Sequence, residues 1–280
     1  MGTYIVVGAY QFVGFHMTQY LLGQGEEVIG IDWEDSQTNQ YIIEEKELEI
    51  GRNANFTYFP INKLRLLDVS EQFTVILSFY DSRKGKVGLT DLQVDDIVTF
   101  LGKCKRNDHV NNLEIMILLP IDGDTDEFQP VLSACEGLKS VKMVFLPTVY
   151  GPWQPESMSF EAATRQLEQA AIEATLASEF REDALFITDF LAAFEQILSS
   201  KDKNIHLCSS IEDHWEKCAK LVFNQEVMDS LTPQPPSKAK KGTIYKVPNK
   251  TSPEEGIRLQ NEQNKRFNLL EKWRMRDEKE

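Results

Sequence analysis

The stretch Tyr4-Ile-Val-Val-Gly-Ala-Tyr-Gln-Phe-Val-Gly14 opens the chain with a short apolar strand that runs into a glycine turn. The apolar run ends at Val7, and a helix is predicted from about Gly14 to Gly23. A second apolar run, Glu27–Ile31, completes a strand–helix–strand unit. Units of this kind build parallel sheets, so this stretch decides the fold class.

Further apolar runs extend the same pattern along the chain. They lie at 73–79, 114–120 and 142–146 and alternate with helical stretches. This alternation predicts an α/β fold with a doubly wound parallel sheet. Beyond it, helices are predicted at 160–176 and 189–198, a strand at 204–208, and a last helix that starts at a capping box, Ser252-Pro-Glu-Glu255. Its stretch 260–265 is polar on all faces, so we expect only Ile257, Phe267, Leu270 and Trp273 to be docked.

Charge and composition exclude several classes of protein. The formal net charge of −14 over 280 residues disfavours nucleic-acid binding, because such a surface repels phosphate backbones. No apolar run is long enough to cross a membrane. The N-terminus enters a strand at once and shows no signal peptide, and the four cysteines are scattered. We therefore expect reduced thiols and a cytoplasmic location.

Several separated motifs together resemble one family. Gly8, Phe12, Gly14 and His16 match a Thr-Gly-x-x-Gly-Phe-x-Gly-x-His turn. The later segments Thr148-Val-Tyr-Gly-Pro-Trp and Thr251-Ser-Pro-Glu-Glu-Gly-Ile match two more motifs. The chain thus resembles the extended short-chain dehydrogenase/reductases, the NAD-dependent epimerase/dehydratase family, nearest to its UDP-glucuronate epimerase-like members.

The resemblance implies a division of the chain into two domains. A Rossmann-like dinucleotide-type domain would comprise residues 1–150 plus about 184–208. A smaller C-terminal α/β lobe of the substrate type would comprise about 151–183 plus 209–280.

The catalytic pair of that family is missing. The family carries Tyr-x-x-x-Lys on the helix after the fifth strand, and here Phe128 and Leu132 stand at those positions. A phenyl ring has no proton to exchange, and leucine has no charge to tune a neighbouring acid. One Tyr-x-x-x-Lys occurs at Tyr80–Lys84, but it follows the fourth strand and is best explained by chance.

The cofactor positions are altered as well. The resemblance assigns cofactor binding to seven positions, which we interpret as vestigial or weak: Gly8, Gln11, Phe12, Gly14, Asp32, Asp68 and Val69. Asp32 lies 18 residues past Gly14, close to the ~20 expected for an acid that binds the ribose. Gln11 replaces a glycine whose positive φ and small size let the backbone approach the pyrophosphate. The family usually has two small residues near Phe79 and Tyr80, and here these two aromatic rings and the carboxylate of Asp81 would crowd the dinucleotide and repel its phosphates. We therefore expect NAD(P) to bind weakly or not at all.

On the substrate side, the resemblance implies ligand contacts at Thr148, Tyr150, Trp153 and Arg181. The Trp153 segment is one residue shorter than the family's and lacks its arginine. Arg181 resembles a phosphate-contacting arginine with a one-residue slip.

A metal site could be formed by His206, Cys208, His214 and Cys218, since zinc takes such ligands. No paired Cys-x-x-Cys anchors the pattern, and small buried residues explain it more simply, so no metal is predicted.

The sequence therefore predicts a degenerate, non-catalytic protein that acts by binding a protein partner or a nucleotide-sugar-like ligand. Two alternatives stay open: an active NAD-dependent nucleotide-sugar epimerase or dehydratase whose acid/base has moved, and a structural subunit that pairs with an active relative. The resemblance also implies a homodimer through helices at 88–103 and 127–139, with an apolar centre from Leu92, Val98, Leu101 and Leu138.

Overall fold

The structure is a computed structural model that describes residues 2–33, 40–68, 73–81, 89–106, 113–122, 126–232, 234 and 242–277. Its contacts divide the chain into two compact units. The first comprises Met1–Phe145 and Ser200–Ile205, and the second comprises Leu146–Ser199 and His206–Glu280.

The strands, in chain order, are β1 (Thr3–Val7), β2 (Glu27–Asp32), β3 (Phe56–Pro60), β4 (Thr74–Ser78), β5 (Glu114–Pro120), β6 (Ser140–Leu146), β7 (Thr148–Tyr150), β8 (Ala184–Phe186), β9 (Asn204–Ser209) and β10 (Thr243–Val247). The helices are α1 (Phe12–Gly23), α2 (Gln40–Ile50), α3 (Asp91–Arg106), α4 (Gln129–Cys135), α5 (Ser159–Thr164), α6 (Gln169–Ala177), α7 (Ile187–Ala192), α8 (Phe194–Ser199), α9 (His214–Val222), α10 (Gln225–Ser230) and α11 (Pro253–Asp277). Short 3-10 segments lie at Ile61–Leu66 and Asp126–Phe128.

The sheet confirms the predicted doubly wound class. Within the described residues, eight strands follow the order β10-β9-β6-β5-β4-β1-β2-β3. Strand β1 pairs in parallel with β2 and β4, and the pairs β2–β3 and β4–β5 are also parallel. The order reverses between β1 and β4. In open α/β sheets, ligands bind outside the carboxyl ends of the strands at such a reversal.

Apolar side chains on both faces of this sheet form the core of the first unit. The strands read as near-continuous apolar runs because helices cover both faces of a parallel sheet. Val6, Val7, Val75 and Leu77 are fully buried. The prediction of β1, β2, β4, β5, β6 and β9 is therefore confirmed, with bounds that move by at most two residues.

The second unit contains a parallel pair of strands, β7 and β8, with Thr148 opposite Ala184 and Tyr150 opposite Phe186. The division of the chain differs from the predicted one. The sequence placed 1–150 and about 184–208 with the first domain, whereas residues 146–150, 184–199 and 206–208 group with the second unit, in which β8 pairs with β7.

Two expected helices are each broken into two. The stretch expected as one helix at 160–176 forms α5 and α6, because Gln166 takes a left-handed conformation with φ of 56°. The amide of Leu167 donates to Ala162 O at 3.0 Å and that of Gln166 to Ala163 O at 2.9 Å, which is a Schellman helix end. The stretch expected at 189–198 likewise forms α7 and α8.

The last helix begins as expected, with the Ser252 hydroxyl accepting the Glu255 amide at 3.2 Å. The expectation of an exposed polar centre is wrong. Gln260 is fully buried and Asn264 is buried, because their amides satisfy a buried carboxylate, Glu161, at 2.7 and 3.0 Å. Polar residues enter the interior when every donor and acceptor finds a partner. No helix in the described part of the chain is long and apolar enough to cross a membrane.

Candidate functional site

The turn between β1 and α1 requires glycine at two positions. Gly8 has a φ of 88°, a conformation that side chains disfavour. A Cβ at Gly14 would lie 1.9 Å from the carbonyl oxygen of Gly8, so no other residue fits. The two glycines therefore hold the first strand and the first helix in close contact, and the buried Phe12 ring begins that helix.

Asp32, at the end of β2, accepts hydrogen bonds from the chain itself. It is 2% exposed. Its carboxylate accepts the amide of Tyr10, the side-chain amide of Gln11 at 3.1 Å and the amide of Trp33 at 2.8 Å. In dinucleotide-binding folds the acid at this position accepts ribose hydroxyls instead. In this chain the side-chain amide of Gln11 donates to that carboxylate.

A buried lysine from α2 completes this cluster. Lys46 is 4% exposed, and its Nζ donates to the carbonyl oxygen of Tyr10 at 2.7 Å. Burial lowers the pKa of Lys46 to about 8, although Asp81 and Asp32 favour its charged form. Burial raises the pKa of Asp32 to about 6, and its hydrogen bonds and Lys46 offset part of that rise. Between these values both groups are charged, so the cation compensates the buried carboxylate.

The backbone of Gln11 is not strained. Its φ is −66° and its ψ is 161°, ordinary extended values. The expectation that glutamine would conflict with a positive φ at this position is therefore wrong. What distinguishes Gln11 from glycine is its side chain, whose Cγ packs back toward Gly8 and whose amide reaches Asp32.

The aromatic residues after β4 lie inside the core. Phe79 and Tyr80 are both fully buried. The Phe79 ring stacks on the Phe128 ring, with centroids 4.6 Å apart and planes 7° apart. Both rings belong to the apolar core of the first unit, and Leu132 packs against that core. The two positions that the resemblance assigns to a catalytic pair are therefore occupied by a core ring, Phe128, and by Leu132, which packs against the core.

The remaining sequence-predicted positions of the first unit lie outside this cluster or outside the described residues. Asp68 is exposed and follows the 3-10 segment. Val69, Lys84 and Thr125 lie outside the described residues.

In the second unit, three residues assigned to substrate contacts are held by the chain. The Thr148 hydroxyl donates to the carbonyl oxygen of Phe180. The Tyr150 hydroxyl lies 3.0 Å from Nε2 of His214, and both side chains are fully buried. Burial raises the pKa of Tyr150, which opposes a role as acid or base. Trp153 has a φ of 65° and meets the Phe267 ring edge-on at 6.0 Å.

The side chain of Gln154, directly after Trp153, points into the interior of the second unit. Gln154 is 3% exposed, and its amide donates to Val149 O at 2.8 Å. Its oxygen accepts the Gln260 amide at 2.9 Å. This glutamine therefore links β7 to α11.

Arg181 is the remaining sequence-predicted ligand residue, and it lines a cavity. One of its terminal nitrogens donates to the carbonyl oxygen of Thr232 at 2.7 Å. The cavity of about 180 Å³ lies between α6 and the segment after α10. Arg181 is thus a predicted ligand residue that lines a described cavity.

Candidate metal ligands of the second unit form hydrogen bonds with other groups of the protein. His214 contacts Ser209 Oγ at 2.7 Å with Nδ1, in addition to Tyr150 with Nε2. Cys208 Sγ lies 3.8 Å from Tyr245 O. Across the described residues, no group of three or more His, Cys, Asp and Glu side chains is arranged to hold a metal.

Two features of these clusters were not predicted from the sequence. Lys46 is the single basic residue among the glutamates of α2, and that isolation was the available signal. The pairing of Tyr150 with His214 joins residues 64 positions apart and left no local pattern.

Comparison with protein-family models and with curated protein sequences finds no match. Solved structures do match. One is a variant of the UDP-glucuronic acid 4-epimerase of Bacillus cereus in complex with UDP-4-deoxy-4-fluoro-glucuronic acid and NAD, with a TM-score of 0.64, 15% identity, and 95% and 99% of the two chains covered. Another is the dTDP-glucose 4,6-dehydratase of Bacillus anthracis in complex with NAD, with a TM-score of 0.62, 13% identity, and 95% and 97% covered.

A third match is an NAD-dependent NDP-hexosamine 5,6-dehydratase involved in tunicamycin biosynthesis, with a TM-score of 0.56, 15% identity, and 95% and 98% of the chains covered. All three are similar over nearly their whole length. The sheet order, the glycine turn and these matches together show that the chain has the Rossmann-like fold of NAD-dependent nucleotide-sugar epimerases and dehydratases.

Proposed function

We propose that this chain is a non-catalytic protein on an epimerase/dehydratase scaffold, which acts by binding a protein partner or a nucleotide-type ligand. The observation that carries the proposal is the stack of Phe128 on Phe79 in the core of the first unit. Epimerase and dehydratase chemistry needs a group at this place that exchanges a proton. Two stacked phenyl rings exchange none.

The cofactor positions support the same proposal. NAD would have to displace the Gln11 amide from Asp32 before a ribose hydroxyl could reach that carboxylate. The Lys46 ammonium already compensates the charge of the cluster. The residues present thus do not fit the dinucleotide, and we expect NAD(P) to bind weakly or not at all.

Turnover assays separate this proposal from an active enzyme. The purified protein is incubated with NAD and UDP-glucuronic acid or dTDP-glucose, and products are followed by chromatography, with an active epimerase as the positive control. We expect no product. Turnover that disappears in Tyr80→Phe or Lys84→Ala would overturn the proposal and favour a relocated acid/base.

The remaining possibility, a structural subunit beside an active relative, makes a different prediction. The chain would then raise the activity or stability of that relative in a mixture, while having no activity alone. Co-expression with the related epimerase of the same cell, followed by size-exclusion chromatography, tests this version directly.

We further propose that the chain is a homodimer and resides in the cytoplasm. Leu92 is 79% exposed on α3, and Val98 and Leu138 are partly exposed, so they are available for a contact. Leu101 is not available, because it is fully buried within the chain itself. The expectation that Leu101 contributes to the interface is therefore wrong.

A further inference from the structure

A series of hydrogen bonds between side chains runs through the interior of the second unit. It leads from Tyr150 on β7 to His214 on α9, and from there to Ser209 at the end of β9. The Ser209 hydroxyl contacts Asn249, which follows β10, and the Asn249 amide reaches the buried carboxylate of Asp189 on α7. This series, here called the relay, therefore joins segments that are as far as 64 positions apart in the sequence.

The orientation of the Asn249 side chain is fixed at both of its ends. Its Oδ1 accepts the backbone amide of Ser210 at 2.8 Å, and a backbone amide can only donate. Its Nδ2 donates to Oδ2 of Asp189 at 3.3 Å, and a carboxylate only accepts. The oxygen of Asn249 that faces Ser209 is therefore an acceptor.

The Ser209 hydroxyl has a single proton, and Asn249 determines where that proton points. Oδ1 of Asn249 lies 2.8 Å from Oγ of Ser209, so the hydroxyl donates to it. Oγ then accepts from its other two neighbours, the amide of Ile211 at 2.9 Å and Nδ1 of His214 at 2.7 Å. The reverse arrangement would leave two oxygen atoms 2.8 Å apart with no proton between them. Nδ1 of His214 therefore carries a hydrogen.

The second ring nitrogen of His214 is consequently an acceptor. Burial, with a further effect from Lys217, lowers the pKa of His214 to about 4, so the ring is neutral at pH 7. A neutral imidazole carries one hydrogen, so Nε2 accepts the Tyr150 hydroxyl at 3.0 Å. The Tyr150 oxygen can accept in turn from its partner Cys218, whose thiol keeps its proton because burial raises the pKa to about 12. Every hydrogen bond of the relay then has the same direction, from Cys218 toward Asp189.

From this arrangement we infer that Asp189 and Asn249 are positioning residues, which act through Ser209 to fix His214 as the neutral Nδ1–H tautomer. The hydrogen bond made by one ring nitrogen decides which of the two carries the hydrogen. Histidine in water favours the opposite tautomer, Nε2–H, so the relay imposes a state that the isolated side chain would not favour.

The relay also connects two of the segments that carry the resemblance to the epimerase and dehydratase family. Tyr150 belongs to the first segment, and the second begins at Thr251, whose hydroxyl donates to the same Asp189 carboxylate at 3.2 Å. The relay thus gives these retained residues a conformational role within the second unit. This role does not depend on whether the chain turns over a substrate or binds NAD.

The tautomer can be measured directly by long-range ¹H–¹⁵N NMR spectra of the full-length protein with ¹⁵N-labelled histidine. His214→Gln identifies the His214 signals among the four histidines of the chain. At pH 7 we expect wild-type His214 to be Nδ1–H in about tenfold or larger excess over Nε2–H, because the second tautomer leaves buried groups without partners.

Two variants test which end of the relay sets the tautomer. Asn249→Ala frees the Ser209 hydroxyl to donate to Nδ1 of His214, so the ratio of Nε2–H to Nδ1–H should rise about tenfold or more. Tyr150→Phe removes only the donor to Nε2, so Nδ1–H should persist. Asn53→Ala, at an exposed asparagine of the first unit that also accepts a backbone amide, is the matched control and should leave the tautomer unchanged.

The inference is overturned if wild-type His214 is Nε2–H or doubly protonated at pH 7. It is also overturned if the tautomer is unchanged in Asn249→Ala, or if it switches in Tyr150→Phe. Ser209→Ala removes the acceptor of Nδ1–H and replaces Asn249→Ala if that variant does not fold; an unchanged tautomer there has the same meaning. None of these outcomes depends on turnover, so the proposed function and the relay can fail separately.

Discussion

Gln11 donates its side-chain amide to Oδ1 of Asp32 at 3.1 Å, so the chain supplies its own partner for the carboxylate at the end of β2. This bond joins the glycine turn to the second strand within the first unit. It leads to the first of four predictions.

Gln11→Gly should raise the affinity for NAD, because it removes both the bulk and the competing hydrogen bond. A hydrogen bond to a charged group contributes about 1.5–3 kcal/mol, which corresponds to about tenfold or more in affinity. Isothermal titration calorimetry compares the wild type with the variant. Gln11→Met keeps the bulk of the side chain and loses its amide. If the affinity for NAD rises in Gln11→Gly and not in Gln11→Met, the bulk of the side chain is what excludes NAD. Tight NAD binding by the wild type would contradict this prediction.

Phe128→Ala should lower the free energy of unfolding by about 3–5 kcal/mol, because Phe128 is 2% exposed and stacks on Phe79. Leu132→Ala, at a partly buried position of the following helix α4, should lower the free energy of unfolding by less. Urea denaturation followed by circular dichroism measures both. A loss below about 1 kcal/mol for Phe128→Ala would mean that the stack is not part of the core.

Leu92→Glu should dissociate the proposed homodimer, because it places a charge on an exposed apolar position of α3. Light scattering at micromolar concentration reads the mass. Leu269→Glu, at a leucine that is 58% exposed on α11, is the control and should leave the mass unchanged. A monomeric wild-type protein would contradict the proposed homodimer. A protein partner would then have to be a different protein.

Acid should destabilise the fold through His214. Burial lowers the pKa of His214 to about 4, below its unfolded value of about 6.5. The contribution of neutral His214 to the free energy of unfolding is therefore fully present above pH 6.5. It is lost as the pH falls toward 4, by about 1.4 kcal/mol for each pH unit. Asp32 and Asp183 titrate in the same pH range and also change the free energy of unfolding. The effect of His214 is therefore measured as the difference in unfolding free energy between the wild type and His214→Gln at each pH.

The variant should lose less stability than the wild type between pH 6.5 and 4. Tyr150→Phe removes the hydroxyl partner of His214 and leaves its ionisation in place, so its profile should follow the wild type. Parallel profiles for wild type and His214→Gln, measured by denaturation at each pH, would show that His214 is not buried as described.

Local chemistry determined much of the fold from the sequence. The apolar runs of β1, β2, β4 and β5 and the turn at Gly8 are short-range patterns, because period and glycine geometry depend on neighbours in the chain. The Ser252 cap is local as well. The sequence also shows that Phe128 and Leu132 carry neither an ionisable hydroxyl nor a charge, whatever their surroundings.

Long-range contacts decided the rest. Gln260 is read as exposed from its own segment, and only the distant Glu161 and Gln154 give its amide the partners that make burial favourable. Lys46 on α2 becomes a buried counter-ion only where the fold places it beside Asp32. Tyr150 is buried against His214, a partner 64 positions away in the sequence. Burying a polar group is stable only when a partner satisfies it, and partners distant in the sequence meet only in the tertiary structure.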